Sequence, residues 1–493
     1  QIDAVVALYS NGQYQEAIDY AKNKLERFPE NSILHNIAGA CYVELGDQIS
    51  AVKNYQKAIL IQPDYAKAHY NLGALYHEMG KFDESIESYE KSLVIDPEYA
   101  EAHNNLANVL REFGFFDSAI IRYKEALKLE PELLEAHYGL GILYQELGKI
   151  DLMLEHLNKV IDIQPDNAEV HNRIGEGFEQ LGQLKEAINS FNHAVFLNPK
   201  FSEAYYNLGN AFKEIGQFKD SIKALKIALN INPNYPAIYN NLGIAYKLNG
   251  HLNKAVKVYL KGLLINPDYI NLLNNLGVAY TELGKIDDAI ECLNKAISIK
   301  SDYADAYNNI GVAYNKSDQL EKASHSFEKA IRINPDFPDP YNNLTVVYRK
   351  KGLINELNNF FTKAIERMVK ELSINPDNAD MHNDLGIAYF EIERLEDAIN
   401  SYKKALRINP KFADAHNNLG IALERLKRYE DSIKSFEKAL NLKPDIDYIL
   451  GNIVGSKMNS CNWDDLESLL GKIKNKIKNN KKIVDPFNLM AWI

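Results

Sequence analysis

Asparagine recurs at one position of a repeated 34-residue unit in this chain, and its spacing suggests a peptide-binding chemistry. Asn71, Asn105, Asn207, Asn241, Asn275, Asn309, Asn343 and Asn418 all stand sixth in their units. A side-chain amide both donates and accepts hydrogen bonds, so a column of amides can hold a peptide backbone with little regard to its sequence. Packed helices lie about 8–10 Å apart, and an extended peptide rises about 3.3 Å per residue. One amide then meets every third peptide unit. Asn also trails Ala, Lys or Glu by roughly 0.5 kcal/mol in an exposed helix, so its repetition where packing gains nothing points to use. A blander reading stands beside this one. The chain is rich in Asn, Lys and Ile, and the fifth position also carries Asn36, Asn104, Asn240, Asn274, Asn308, Asn342, Asn383 and Asn417. Asn at either position then reflects composition, or bridges neighbouring helices. The ladder lapses at Ile37, Gly139 and Arg173 and becomes Asp384.

Other reactive residues carry less. His35, His69, His103, His137, His171, His382 and His416 share the fourth position. They lie on separate helices, and Tyr takes the slot in other units, so an aromatic packing position explains them better than a metal or pH array. Gly175-Glu-Gly177 lacks the third glycine of a nucleotide fingerprint and sits on a helix rather than after a strand. There is no phosphate-binding loop and no His-Glu-x-x-His. No catalytic residue, metal ligand or cofactor site is assigned. Asn315-Lys-Ser317 and Asn343-Leu-Thr345 match glycosylation sequons by chance, since no signal peptide is visible. Cys41, Cys292 and Cys461 are too few and too scattered for a disulfide framework or a zinc site.

The elements that position the ladder are set by a proline beat. Pro29, Pro63, Pro97, Pro131, Pro165, Pro199, Pro233 and Pro267 are evenly spaced; Ser301 fills the next slot and Pro335 resumes. After one longer interval come Pro376, Pro410 and Pro444. Such a period marks a repeat array, in which each unit buries its apolar face only against its neighbours. Within residues 202–235, Tyr205, Leu208, Gly209 and Phe212 form one helical face. Gly216 ends that helix. A second helix carries Ser221, Leu225 and Ala228 inward until Pro233 stops it. Gly39, Gly73, Gly141, Gly175, Gly209, Gly243, Gly277, Gly311, Gly386 and Gly420, with Ala107, stand eighth in their units. A helical Gly costs roughly 1 kcal/mol against Ala, so its recurrence implies a partner helix too close for a larger side chain.

Small at 8, aromatic at 11, small at 20, aromatic at 24, Ala at 27 and Pro at 32 together resemble the tetratricopeptide repeat over residues 1–446. The resemblance implies an all-α, right-handed superhelical solenoid whose first helices line a concave face. Thirteen units are counted, the first truncated. Pro335 to Pro376 exceeds the period by seven residues, placed between residues 365 and 373, which predicts a longer second helix of nearly two extra turns.

The pattern stops after residue 446, and residues 447–493 read as a helical cap and linker. Asp447 to Met458 suits a helix with Ile449, Leu450, Ile453 and Val454 inward. Asp464 is expected to cap a second helix with Leu466, Leu469, Leu470, Ile473 and Ile477 as its stripe. Six lysines between Lys472 and Lys482 read as a solvated face. Ile449-Leu-Gly-Asn, Lys457-Met, Cys461-Asn-Trp463-Asp464 and Asp485-Pro-Phe487 resemble the segment joining repeats to catalytic domain in the O-linked N-acetylglucosamine transferase and SPINDLY family. That resemblance implies an arm holding protein substrates along an Asn-lined concavity, ahead of a two-lobed nucleotide-sugar transferase domain. The run from Asn488 to Ile493 is expected to lead into that domain; a free-standing scaffold is the alternative.

Composition bounds the partners. The 493 residues carry 67 acidic and 56 basic side chains, a net charge of −11. That disfavours nucleic acid and anionic membrane as partners. No stretch approaches the roughly 18 apolar residues of a membrane span. Extended protein segments are the expected partners, a homodimer is left open, and a reducing, cytoplasmic setting is expected from the cysteines.

Overall fold

The computed structural model describes residues 2–335, 337–444, 446 and 448–477. The side chains of Lys472 and of residues 474–477, and the Asp485-Pro-Phe487 and 488–493 runs, lie outside the described residues. Among the described residues there are 28 helices and no strand, and none of the helices is long and apolar enough to cross a membrane. The chain is an all-α solenoid in two compact units, Gln1–Ala279 and Tyr280–Ile493.

In the first unit, after the shorter opening pair Ile2–Ser10 and Tyr14–Leu25, each repeat is a hairpin of a 13-residue and a 14-residue helix, such as Ser202–Glu214 and Phe218–Ile231. The turn between them needs a left-handed residue, and Gly216 supplies it at φ +77°. Leu208, Ser221, Leu225 and Ala228 are buried.

The eighth-position glycines have a specific reason. A Cβ on Gly39 would lie 2.6 Å from the ring of Tyr55, and one on Gly175 would lie 2.5 Å from the ring of Phe191. The obstacle is therefore the position-24 side chain of the same hairpin, lying across the glycine, rather than the partner helix backbone. Tyr55, Tyr89, Phe191, Leu225 and Tyr259 are accordingly buried. Ser85, at position 20, donates to the carbonyl of Gly73 at 2.8 Å from the other helix.

A second recurrent bond joins one repeat to the next. His69, His103, His137 and His171 each present Nε2 to the carbonyl of the proline six residues earlier, at 3.0–3.1 Å. Tyr239 makes the same bond with its hydroxyl to Pro233, at 3.0 Å. What unites the two residue types is a flat body with a donor at its tip.

The second unit repeats these devices. Gly311, Gly386 and Gly420 lie under Phe327, Tyr402 and Phe436. His382 and His416 reach Pro376 and Pro410, and Tyr341 reaches Pro335. Asp318, Glu393 and Lys427 take the left-handed turn at φ 59–60°, where the other repeats use Gly. In the repeat beginning at Pro338 the second helix is Ile354–Ile374, 21 residues long. Its buried stripe continues as Leu357, Phe361, Ile365, Met368 and Leu372. After the last repeat, Ile449–Asn459 buries Ile449, Leu450, Ile453 and Val454. Ser456 donates to Glu424 at 3.0 Å, tying this helix to the repeat before it. The next helix is Leu466–Ile477. Asp464 stands two residues before its start and does not cap it. Its carbonyl accepts from Lys457 Nζ at 3.2 Å, and Asp465, at φ 58°, takes the junction.

Burial pushes the imidazoles of His69, His103, His171 and His416 below their ordinary value of 6.5. Lys91, Arg122 and Lys438 add to this at His69, His103 and His416, and His193 does so at His171; Glu125 opposes it at His103. The folded chain thus holds these rings neutral, with Nε2–H donating. The unfolded chain takes up the protons first. Stability is complete above pH 6.5 and falls as pH drops below it. Urea unfolding at pH 8, 6.5 and 5.5 should show a midpoint that declines over the acid step. Replacing the four histidines by Tyr keeps the bond, as at Tyr239, and should flatten the decline. Equal declines in both proteins would remove the histidines as its source.

Candidate functional site

The first helices present the ladder. All eight asparagines are half-buried, on the same register of successive first helices. In the first unit Asn71 Nδ2 donates to Asn36 Oδ1 at 3.0 Å, and Asn275 Nδ2 donates to Asn240 Oδ1 at 2.8 Å. Asn105 and Asn241 donate to the hydroxyls of Tyr70 and Tyr206, each at 2.8 Å. Asn207 reaches Asn172 at 3.2 Å and Glu176 at 3.1 Å. In the second unit Asn343 donates to Asn308 and Asn418 to Asn383, at 3.0 and 3.1 Å. Asn309 is half-buried at the same register.

The rule is the same throughout: position 6 of one repeat donates to position 5 of the repeat before it. Asn36, Asn104, Asn172, Asn240, Asn308 and Asn383 are correspondingly buried. The ladder therefore gains from packing, and its helix-propensity cost is offset by a cross-repeat hydrogen bond worth about 0.5–1.5 kcal/mol. The partners Tyr70 and Tyr206 were not singled out from sequence. An alternation of Asn36, Tyr70, Asn104, Tyr138, Asn172 and Tyr206 was the available signal.

One N–H of Asn71, Asn241, Asn275, Asn343 and Asn418 is thus used, and Asn207 donates to two acceptors. Among the described residues no protein donor reaches Oδ1 of Asn71, Asn207, Asn241, Asn275, Asn343 or Asn418. In the first unit the carbonyls of Asn71, Asn207, Asn241 and Asn275 stand at one register of their helices and can accept hydrogen bonds, and the second N–H of Asn71, Asn241 and Asn275 can donate. Asn105 differs, because its Oδ1 accepts from Asn104 at 3.2 Å.

Two lapses in the ladder have physical causes. At Gly139 a Cβ would lie 2.5 Å from the ring of Tyr123. Tyr123 is a position-24 ring whose own hairpin has Ala107 at position 8, where most of the others have Gly. The Tyr123 ring thus fills the space at Gly139 of the next repeat, and its hydroxyl donates to Asn108 of its own hairpin at 2.6 Å. At Arg173 the guanidinium replaces the amide. It donates to Gln145 of the preceding repeat at 3.2 Å and to Glu169 at 3.1 Å, and it lies 6.0 Å from the ring centre of Tyr138. Nearby, Glu176 accepts from Asn172, Gln145 and Asn207 at 2.9–3.2 Å. Burial, with Glu176 among the neighbouring charges, holds the carboxyls of Glu179 and Glu203 above the usual range.

The described residues include no group of His, Cys, Asp and Glu that could hold a metal ion. The three cysteines are free.

Comparison with known proteins follows the same lines. A profile described as "TPR repeat" matches residues 39–80, 107–148, 178–216, 209–250, 248–284, 277–318 and 388–427. Profiles described as "Tetratricopeptide repeat" match 2–59, 66–99, 134–167, 304–337 and 413–446. No curated protein sequence matches the chain. Among solved structures it is similar to YrrB, described as "a TPR protein with an unusual peptide-binding site" (21% identity, 38% of this chain and 97% of that one, TM-score 0.33). It is also similar to MamA (29% identity, 35% and 95%, TM-score 0.33). The Cut9–Hcn1 hetero-tetramer of the APC/C matches over 92% of this chain and 88% of that one, at 15% identity and TM-score 0.38.

Gly139→Asn should destabilise the chain by about 1–3 kcal/mol, because the new side chain meets Tyr123. Adding Ala107→Gly reopens the ring's usual seat and should recover most of that loss, which a thermal-unfolding double-mutant cycle would measure. Additive costs would sink this account of the lapse.

Proposed function

The chain belongs to the tetratricopeptide repeat family, and from that premise we propose that its ladder face binds extended segments of other proteins. The observation that carries the reading is the column of half-buried amide carbonyls left open at Asn207, Asn241 and Asn275 while their Nδ2 atoms hold the repeats together. An acceptor held rigidly by a second bond loses little freedom when it binds, which favours association. Because an amide reads backbone rather than side chain, the ladder accepts many sequences. The finer proposal is that this array holds substrates for a nucleotide-sugar-dependent protein O-glycosyltransferase. Its support is the tail motif, Ile449-Leu-Gly-Asn followed by Cys461-Asn-Trp463-Asp464. Catalysis would belong to a domain beyond the repeats, and the repeats would contribute affinity.

Replacing Asn241, Asn275 and Asn309 together by Ala should weaken peptides selected from a random display library by more than about tenfold, at about 0.5–1.5 kcal/mol per bond. The same variant should also lose stability. Tyr206→Phe separates the two effects: it removes the partner of Asn241 and leaves the amide in place. It should cost about 1 kcal/mol of stability with peptide affinity held within about twofold, a change under roughly 0.5 kcal/mol. If the triple variant binds like the parent, the ladder is structural only. Reading the gene beyond codon 493 tests the finer proposal. Several hundred further residues of alternating strand and helix pattern are expected, and a nearby stop codon leaves a binding scaffold.

A further inference from the structure

In the second unit the ladder's change to Asp384 coincides with a change in helix length. Helices Pro338–Lys351 and Ala379–Glu391 are the first helices of successive repeats. Between them the second helix, Ile354–Ile374, runs 21 residues instead of the usual 14. Asn343 and Asn418 reach a partner 35 residues earlier in the chain. At the break the equivalent pair is Asn342 and Asp384, and no amide stands at the sixth position. Asn342 is exposed, whereas Asn308 and Asn383 at the same register are each 6% exposed.

The space so opened is a cleft of about 370 Å³. Tyr341, Phe361, Met368, Met381 and Ile387 form its apolar wall. The chain has only six methionines, and two meet here; their flexible thioethers suit a wall that adapts to its occupant. Asn342, Asp380, Asp384 and Ile387 stand at positions 5, 2, 6 and 9 of their repeats, so the cleft opens on the ladder's register. The carboxylates of Asp380 and Asp384 are exposed. Among the described lining residues the one cation is Arg367, which donates to the carbonyl of Pro335, also in the lining, at 3.0 Å and lies 3.7 Å from Glu371.

We propose that this cleft is a specificity pocket, taking one apolar side chain of Leu, Met or Phe size from the bound segment, with a Lys or Arg beside it meeting Asp380 and Asp384. The inference rests on the peptide-binding reading of the ladder. It adds sequence preference at one point to a wall that otherwise reads backbone. A mostly apolar recess with a few placed charges is how side-chain anchors are recognised.

The test uses the full chain and a random peptide display library. Peptides enriched on the parent should pair Leu, Met or Phe with an adjacent Lys or Arg. Ala364→Phe fills the cleft from its floor and should weaken such a peptide by more than tenfold. Asp380→Lys with Asp384→Lys reverses the charge of two exposed side chains, at the cost of the 3.5 Å bond from Asn383 to Asp384, and should move selection toward Asp and Glu beside the same apolar residue. This second variant carries the test if Ala364→Phe fails to fold. Enriched peptides without the pairing, or with unchanged selection on the charge-reversed variant, overturn the pocket. The ladder reading then stands or falls on the triple asparagine variant. If no peptide is enriched on the parent, both readings fall together.

Discussion

A ring lying across a bare stretch of helix backbone is the contact on which the rest of the array depends. Tyr55 over Gly39, Phe191 over Gly175 and Phe436 over Gly420 set the approach of the two helices in each hairpin. The close approach places position 20 against the other helix, where Ser85 and Ser432 bond the carbonyls of Gly73 and Gly420 at 2.8 Å. It also fixes which way the first helix faces. Since the rotation of that helix decides where position 6 points, the ladder is a consequence of packing two residues further along. The same position reaches beyond its own hairpin: the Tyr123 ring lies where a side chain at Gly139 of the next repeat would stand, and that rung is missing.

Stacking then needs polar bonds as well as apolar contact, because each hairpin exposes helix ends and loop carbonyls at its edge. The proline that stops the second helix also leaves a carbonyl in the loop that follows. The position-4 His or Tyr satisfies it, as at His137 and Tyr239. On the other edge the position-6 amide bonds position 5. Where both residues are present, a repeat is thus pinned to its predecessor at two places about half a turn apart on its first helix. A nearest-neighbour array of this kind transmits register step by step. Regular spacing of the ladder carbonyls follows without any contact between distant repeats.

Most of the scaffold was legible because each device uses one residue type at one spacing. Proline and the usual Gly at 15 answer to the backbone, and Gly at 8 answers to the side chain lying across it, so each narrows the choice of residue. Partnerships were not legible in the same way. The pairs Asn105–Tyr70 and Asn241–Tyr206 lie 35 residues apart and mix residue types, so the tyrosines read as packing. The position-4 histidines read as aromatic filler because their Nε2 bond goes to a backbone carbonyl, which sequence does not mark. Asp464 was taken for a cap because a capping residue and a neighbouring aspartate look alike in Asp464-Asp465; the left-handed Asp465 decides it. Ala107 and Gly139 each look like an ordinary lapse until Tyr123 is placed between them.

The long helix shows how an array can vary without losing register. Seven residues at about 100° each turn a helix by nearly two full circles, leaving a drift of only about 20°. The inward stripe therefore persists through Phe361, Ile365, Met368 and Leu372. A gain of five residues would have rotated the end of the stripe by about 140°, and the next hairpin would have met a polar face. Seven residues also add about 10 Å of helix, which matches the 8–10 Å separation of packed helices. The next first helix is therefore set back by about one helix spacing while its facing direction is kept. The pairing of Asn418 with Asn383 resumes directly after the break. The exposure of Asn342 and the cleft beside it thus go with a single change in length.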